Sequence, residues 1–117
     1  MSTFEDLGLS APLQQATVDL GFVNPTEVQQ KAIPLLLESE TDLVALAQTG
    51  TGKTAAFGFP LIQKIDVKSR STQGLIIAPT RELCLQITHE MRAYAQHVKG
   101  LHIVAVYGGA SVTQQAK

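Results

Sequence analysis

The sequence has little of what marks secreted, membrane-spanning or disordered proteins. It holds no tryptophan and one cysteine, Cys84, which excludes an internal disulfide and a metal site built from several cysteines. No apolar run approaches the roughly 20 residues that cross a bilayer, and residues 1–10 carry no basic stretch of the kind that begins a secretory signal. We therefore expect a protein of a reducing, cytoplasmic compartment with no membrane partner.

Charge is also scarce, and this limits the functions that composition alone can indicate. Charged residues make up 16% of the 117-residue chain and the net charge is −1, whereas 44% of the residues are hydrophobic. A chain of this composition has enough apolar surface to fold, so intrinsic disorder is excluded. Because there is no overall excess of basic residues, any contact with nucleic acid must be local. The length fits one domain or part of one.

Hydrophobic periodicity predicts alternating helices and strands. Spacings of three and four, with capping and stop residues, predict helices at 10–20 and 81–98. Further helices are expected from Thr26 towards Leu37 and, after the glycines at 50 and 52, at 53–64. Short apolar runs predict buried strands at 43–47, 75–78 and 101–107, and a further helix begins near residue 111. Pro34 is expected to kink or break the second helix. This order of elements predicts an α/β fold with a parallel sheet.

The sharpest signal is a glycine-rich turn between a predicted strand and a predicted helix. Its residues are Ala47, Gln48, Thr49, Gly50, Thr51, Gly52, Lys53 and Thr54. Glycines let successive backbone N–H groups curl around a phosphate, and the start of the next helix adds partial positive charge. Lys53 would reach the β and γ phosphates, and the Thr54 hydroxyl would bind Mg²⁺. The usual pattern begins with glycine where Ala47 stands, and the alternative is a plain turn with an exposed lysine.

A second signal lies in residues 21–29, which include Thr26 and Gln29. The Gln29 amide carries a donor and an acceptor that match the adenine edge but not the guanine edge, so it would select ATP over GTP. Thr26 and Gln29 also form a T-x-x-Q capping box, which needs no ligand and which spacing alone favours. Both roles are compatible.

Together these residues resemble the DEAD-box RNA helicases, which belong to the superfamily 2 ATPases. Residues 21–29 are similar to that family's Q motif, and Phe4 stands where the family has an isolated aromatic, 17 residues before Gly21. Residues 47–54 are similar to motif I, which in this family begins with alanine. Residues 79–83 are similar to motif Ia, and the pair at 108–109 to the GG motif.

The resemblance implies a role for each matched residue and extends over essentially the whole chain. It implies that Phe4 packs at the adenine, that Thr26 and Gln29 read it, and that residues 47–54 hold ATP and Mg²⁺, with Lys53 and Thr54 serving catalysis. The RNA backbone would lie along Pro79, Thr80, Arg81, Gly108 and Gly109. Without the family, Arg81 is better explained as a solvated arginine that pairs with Glu82 or with nothing.

By this resemblance residues 1–117 are part of an N-terminal RecA-like P-loop NTPase domain, with the Q-motif region at 1–30 and the P-loop with the first core strands at 43–117. The chain contains no D-E-A-D or S-A-T segment. In the family these strands lie between the motif I and motif Ia strands. We therefore expect the chain to be truncated before the D-E-A-D strand and inactive alone. Its uncovered strand edges would favour rearranged pairing, a homo-oligomer or a strand-exchanged dimer.

The predicted function is thus the ATP-binding and RNA-contacting part of an ATP-dependent RNA helicase, whose hydrolysis of ATP is coupled to RNA unwinding. Two alternatives remain open at this point. One is another P-loop ATPase, such as a DNA helicase, against which the set of Phe4, Thr26 and Gln29 argues. The other is a non-catalytic RNA-binding or assembly module that uses a sheet edge or the helix at 81–98.

Overall fold

The computed structural model describes residues 3–38, 42–46, 52–69 and 71–107. These residues form four helices, which we number in chain order. They are α1 (Ala11–Asp19), α2 (Glu27–Glu38), α3 (Lys53–Lys64) and α4 (Arg81–Tyr94). The bounds of α3 are those predicted, and α1 differs from its prediction by one residue at each end. The predicted helix beyond residue 111 lies outside the described residues.

Helix α2 runs through Pro34 without a break, so of the two predicted outcomes, a kink or a break, the break does not occur. Proline lacks the N–H that would bond to the Gln30 carbonyl, so its position inside a helix costs stability. The face of α2 that carries Ala32 and Ile33 is buried, and its contact with α3 is the most extensive between the described helices. Burial of this face offsets the missing hydrogen bond. Helix α3 likewise continues through an internal proline, Pro60.

Helix α4 ends four residues before the predicted position. The N–H groups of Gln96 and Val98 donate to the carbonyls of Ala93 and Ala95, three residues back, so a tighter turn replaces the last helical turn. The start of α4 is well defined, since the Thr80 hydroxyl accepts a hydrogen bond from the Leu83 N–H at 3.1 Å.

An aromatic cluster lies at the centre of the core. The ring of Phe59 on α3 packs against Tyr94 on α4 at 4.7 Å between centroids and against Phe4 at 6.4 Å. Phe22 contacts both Phe4 and Tyr94. Helices α3 and α4 approach closely at Gly58, where an added Cβ would meet the Met91 sulfur at 2.7 Å. The contacts among the four aromatic rings stabilise the core by more than the burial of their apolar area alone.

The predicted parallel sheet is not formed by the described residues. Residues 42–46, 72–78 and 101–107, which we call the three apolar segments, contain no helix and no hydrogen-bonded strand. Their side chains are also more exposed than predicted, with Val44 at 87%, Leu46 at 95% and Ile77 at 85%. The prediction rested on apolar runs, which indicate segments that are buried on both faces of a sheet. A strand also needs a neighbouring strand to pair with its backbone hydrogen-bonding groups, and an apolar run does not supply that neighbour.

Two of the apolar segments still show the periodicity of strands. Along residues 101–107 the odd positions are half-buried and the even positions are exposed, which is the pattern of a strand with one covered side. A groove of about 1050 Å³ is lined by residues 71–76 and 100–106 on one side and by residues of α3 and α4 on the other. Within the part of the chain described, no helix is long and apolar enough to cross a membrane.

Candidate functional site

The described part of the predicted phosphate loop begins at Gly52, directly before α3. Gly52 has φ +81°, in the left-handed region, and it occupies the cap position of α3 without a side chain to accept from the first N–H groups. Lys53 is the first residue of the helix and is exposed, and Thr54 is half-buried. Helix α3 therefore begins with uncapped N–H groups and a lysine at the same end.

A close contact explains why glycine is required at position 52. A Cβ added there would overlap the Gln29 Nε2 atom and would lie 3.3 Å from the Thr26 hydroxyl oxygen. The left-handed backbone is a second constraint, because residues with a Cβ rarely adopt it. The start of α3 is thus fitted against the start of α2, and the two predicted ATP-binding segments are brought together.

The capping box predicted at the start of α2 is present. The Thr26 N–H donates to the Gln29 side-chain oxygen at 3.0 Å, and the Gln29 N–H donates to the Thr26 hydroxyl at 3.4 Å. These two bonds satisfy backbone donors that the helix leaves without partners. They also fix the Gln29 side chain, which is only 4% exposed.

The Gln29 amide also reaches the phosphate loop. Its Nε2 donates to the Gly52 carbonyl at 3.2 Å, across 23 residues of sequence. An amide has two hydrogens on nitrogen and two lone pairs on oxygen, so one position on each atom remains for a ligand. Gln29 is therefore able to cap α2, hold Gly52 and meet a purine edge at once.

Phe4, which is predicted to pack at the adenine, lies in the aromatic cluster. It is 5% exposed and lies between the rings of Phe22 and Phe59. Of the four rings in the aromatic cluster, only that of Phe22 is half-buried rather than buried. Phe22 follows Gly21 within the predicted Q motif, and it is the ring of the cluster with the most contact with solvent. Phe4 packs against Phe22, with 6.4 Å between the ring centroids.

The three described residues of the predicted RNA site, Pro79, Thr80 and Arg81, are exposed and lie at the start of α4. The Thr80 hydroxyl is engaged in capping, as described above. The Arg81 guanidinium neither pairs with Glu82 nor stands alone, since its carbon lies 4.8 Å from the centre of the Tyr107 ring. Arg81 is thus an exposed arginine that packs on the ring of Tyr107, a residue that the sequence motifs did not indicate.

Cys84 contributes a packing contact on α4. It is half-buried on the first turns of α4, and its thiol donates to the Val106 carbonyl at 3.9 Å. This contact joins α4 to the last residues before the predicted GG motif.

Several predicted site residues lie outside the described part of the chain. They are Ala47, Gln48, Thr49, Gly50, Thr51, Gly108 and Gly109. The described residues contain no group of three or more His, Cys, Asp or Glu side chains that could hold a metal ion. Among them the predicted Mg²⁺ ligand is Thr54, whose hydroxyl would supply one oxygen of a magnesium shell completed by phosphates and water.

Comparison with known proteins decides the family. The family model for DEAD/DEAH box helicases matches residues 26–117. The chain belongs to this family. It is 47% identical over 108 residues to the ATP-dependent RNA helicase DeaD of Klebsiella pneumoniae, an alignment that covers 92% of this chain and 17% of that protein. The resemblance to DEAD-box helicases found in the sequence is confirmed.

Two solved structures show that the fold agrees as well. A DEAD box protein from the hyperthermophile Methanococcus jannaschii matches with a TM-score of 0.90 and 39% identity, covering 97% of this chain and 31% of that one. The RNA helicase Prp28 from Chaetomium thermophilum bound to ADP matches with a TM-score of 0.85 and 40% identity, covering 99% of this chain and 29% of that one. This DEAD/DEAH box chain thus spans less than a third of each of these relatives.

Proposed function

We propose that the chain is the ATP-binding and RNA-contacting part of an ATP-dependent RNA helicase, in which ATP hydrolysis is coupled to the unwinding of RNA duplexes. Family membership supports the activity, because the DeaD relative is named an ATP-dependent RNA helicase. The Prp28 structure supports the nucleotide, because that helicase is bound to ADP.

The observation that carries the proposal is the start of α3. Lys53 places a positive side chain at the positive end of the helix dipole, an arrangement that is unfavourable unless an anion lies there. In the described ranges no carboxylate lies within ion-pair distance of Lys53. Gly52 adds backbone in the left-handed region, which lets N–H groups turn towards one point. A phosphate group would resolve the charge imbalance and accept from these donors.

The residues present fit ATP with Mg²⁺. Residues 47–54 would hold the phosphates, with Lys53 on the β and γ groups and the Thr54 hydroxyl on Mg²⁺. Thr26 and Gln29 would meet the adenine, and Phe4 would pack at it. When bound, ATP with Mg²⁺ supplies the reactive phosphoryl group, and this chain's residues bind and orient it.

For RNA, the start of α4 likewise combines a cation with the N-terminus of a helix. Arg81 is the first residue of that helix and is exposed beside Pro79 and Thr80. A guanidinium next to a helix N-terminus suits a backbone phosphate, and contacts of this kind carry no information on base sequence. Gly108 and Gly109 would continue this path. RNA would therefore be held through its backbone.

The three apolar segments would form parallel strands in a RecA-like domain. The alternating burial of residues 101–107 supports this, as does the likeness to complete DEAD-box structures. The helices α3 and α4 would then cover one face of the sheet. We expect the 117-residue chain itself to bind ATP without hydrolysing it, because its sequence holds no D-E-A-D carboxylates.

Titration of Mg–ATP into the 117-residue chain tests the nucleotide site. Loss of the Lys53 ammonium in Lys53→Ala removes a charge-assisted hydrogen bond and is expected to weaken ATP binding by roughly tenfold to a hundredfold. Lys99→Ala is the matched control, since Lys99 is an exposed lysine beyond the far end of α4, and it should leave the affinity unchanged. GTP should bind more weakly than ATP.

Three results would contradict the proposal. Equal ATP affinity of the Lys53→Ala variant and the unaltered chain would remove the phosphate site. Binding of RNA with no binding of nucleotide would favour the non-catalytic RNA-binding module instead. RNA-stimulated release of phosphate by the 117-residue chain would contradict the expected lack of turnover.

A further inference from the structure

Tyr107 is joined to Arg81 although 26 positions separate them in the sequence. The guanidinium carbon of Arg81 lies 4.8 Å from the centre of the Tyr107 ring, within the range of a cation–π contact. Nothing in the predicted motifs includes Tyr107, which precedes the pair of glycines at 108–109.

The backbone near Tyr107 is held against the same helix by an independent contact. The Cys84 thiol, one helical turn after Arg81, donates to the carbonyl of Val106. Tyr107 is also one of the half-buried odd positions of residues 101–107, so its side chain lies on the covered side of that segment. These two contacts place Val106 and Tyr107 beside the first turn of α4.

The stacking has a consequence for what Arg81 can bind. A guanidinium is planar, and its N–H donors point outward in the plane. Contact with a ring occupies one face and leaves the edge with its donors available for a phosphate. The contact also restricts a long side chain that would otherwise sample many rotamers, so less conformational entropy is lost when the phosphate binds.

Arg81 has no competing anion in the described part of the chain. No carboxylate there lies within ion-pair distance of its guanidinium. The side chain is nevertheless exposed, and it begins α4, where the helix dipole already disfavours a cation. The Tyr107 ring therefore offsets part of an unfavourable placement and keeps the arginine at the helix start.

We infer that Tyr107 is a positioning residue for RNA binding, whose ring holds the Arg81 guanidinium with its edge towards a backbone phosphate. This inference rests on the proposed function, since it requires Arg81 to contact RNA. Tyr107 itself acts through Arg81 and makes no contact with the nucleic acid. The ring supplies the effect, so phenylalanine should replace tyrosine without loss.

Fluorescence anisotropy with a labelled oligouridylate and the 117-residue chain measures the effect. Arg81→Ala should weaken binding about tenfold and lower the salt dependence by the equivalent of about one phosphate contact. Tyr107→Leu should weaken binding roughly two- to fivefold, the size of an exposed cation–π contact. Tyr107→Phe should bind as the unaltered chain does, and Lys99→Ala controls for the loss of a positive charge.

A double variant separates positioning from direct contact. In an Arg81→Ala background, Tyr107→Leu should cause no further loss, because the group that it positions is gone. A further loss would show that Tyr107 touches RNA and would overturn the inference. Equal loss in Tyr107→Phe and Tyr107→Leu would overturn it too, since the ring would not be the active feature.

The same series distinguishes this inference from the proposed function. If Arg81→Ala weakens RNA binding and Tyr107→Leu does not, the positioning role fails and the RNA site stands. If neither Arg81→Ala nor Tyr107→Leu has an effect, or the unaltered chain binds no RNA, the RNA site fails and the positioning role with it. An NMR spectrum of each variant checks the fold, and the ring-current shift on the Arg81 side chain should persist in Tyr107→Phe and vanish in Tyr107→Leu.

Discussion

The helical core and the three apolar segments use similar residues with opposite results. Phe59 on α3 is fully buried, whereas Leu46 in the first apolar segment is 95% exposed. Helices satisfy their backbone hydrogen bonds internally, so α1 to α4 need only a shared apolar face to pack. Strands need a partner for both backbone and side chains. The comparison shows that apolar content decides burial only where the partner is also present.

The largest expected effect is on stability and contrasts one residue from each region. Phe59→Ala should reduce the free energy of unfolding by about 3–5 kcal/mol, because it removes the ring at the centre of the aromatic cluster. Val44→Ala should change it by less than about 0.5 kcal/mol, since that side chain is already in water. Urea denaturation followed by circular dichroism measures both. Equal losses would mean that the apolar segment is packed in solution.

A second prediction concerns the exposed apolar surface itself. We expect the 117-residue chain to self-associate through the three apolar segments, because exposed apolar surface with unpaired backbone favours pairing between chains. Leu46→Lys with Ile77→Lys should raise the concentration needed for association by at least about tenfold. Val18→Lys, at an exposed apolar position on α1, is the matched control. Analytical ultracentrifugation would contradict this prediction if the unaltered chain sediments as a 12.5 kDa monomer.

The smallest expected effect sharpens the comparison within the helical region. Hydrogen bonds from His97 and Gln15 lower the pKa of Asp19 from its ordinary value of 3.8. The contact with His97 joins the end of α1 to the turn after α4. A lowered pKa means that the folded state binds the proton less readily than the unfolded state does. The stabilisation is therefore present above about pH 4 and is lost as the pH falls through the lowered pKa.

Urea denaturation between pH 6 and pH 2 checks this expectation. Asp19→Asn should remove part of the acid-induced loss of stability, and Asp42→Asn, at an exposed position outside the helices, should not. Some acid sensitivity should remain in the Asp19 variant, because the Thr3 backbone and hydroxyl also lower the pKa of Asp6. An unchanged pH profile in Asp19→Asn would show that the link between α1 and α4 does not form in solution.

The sequence correctly predicted features that depend on residues close to one another in the chain. The start of α3 follows from the glycines before it, and the Thr26–Gln29 capping box from a spacing of three residues. It did not predict contacts between distant positions, such as Gln29 with Gly52 or Arg81 with Tyr107. Neither pair has a local signature, since folding alone brings its members together.

The strands show a different limit. An apolar run reports that a residue prefers to be covered, but not which neighbour covers it, so the predicted burial of residues 43–46 and 75–78 was wrong for most positions. The predicted end of α4 was wrong for a related reason. Val98 continues the apolar spacing of the helix, while the backbone has already changed to the tighter turn.

The Gln63 side chain has a practical consequence for handling this protein. Its oxygen accepts a hydrogen bond from the Ser10 N–H at 2.8 Å, and its nitrogen donates to the Gly8 carbonyl at 3.0 Å. These two hydrogen bonds hold the residues just before α1 against α3. Phe4 and Leu7, which precede these two hydrogen bonds in the sequence, are buried. Trimming residues 3–10, as a protease or a shortened clone would, takes anchors away from α1 and α3 together, so a purification tag is better added ahead of this stretch than substituted for it.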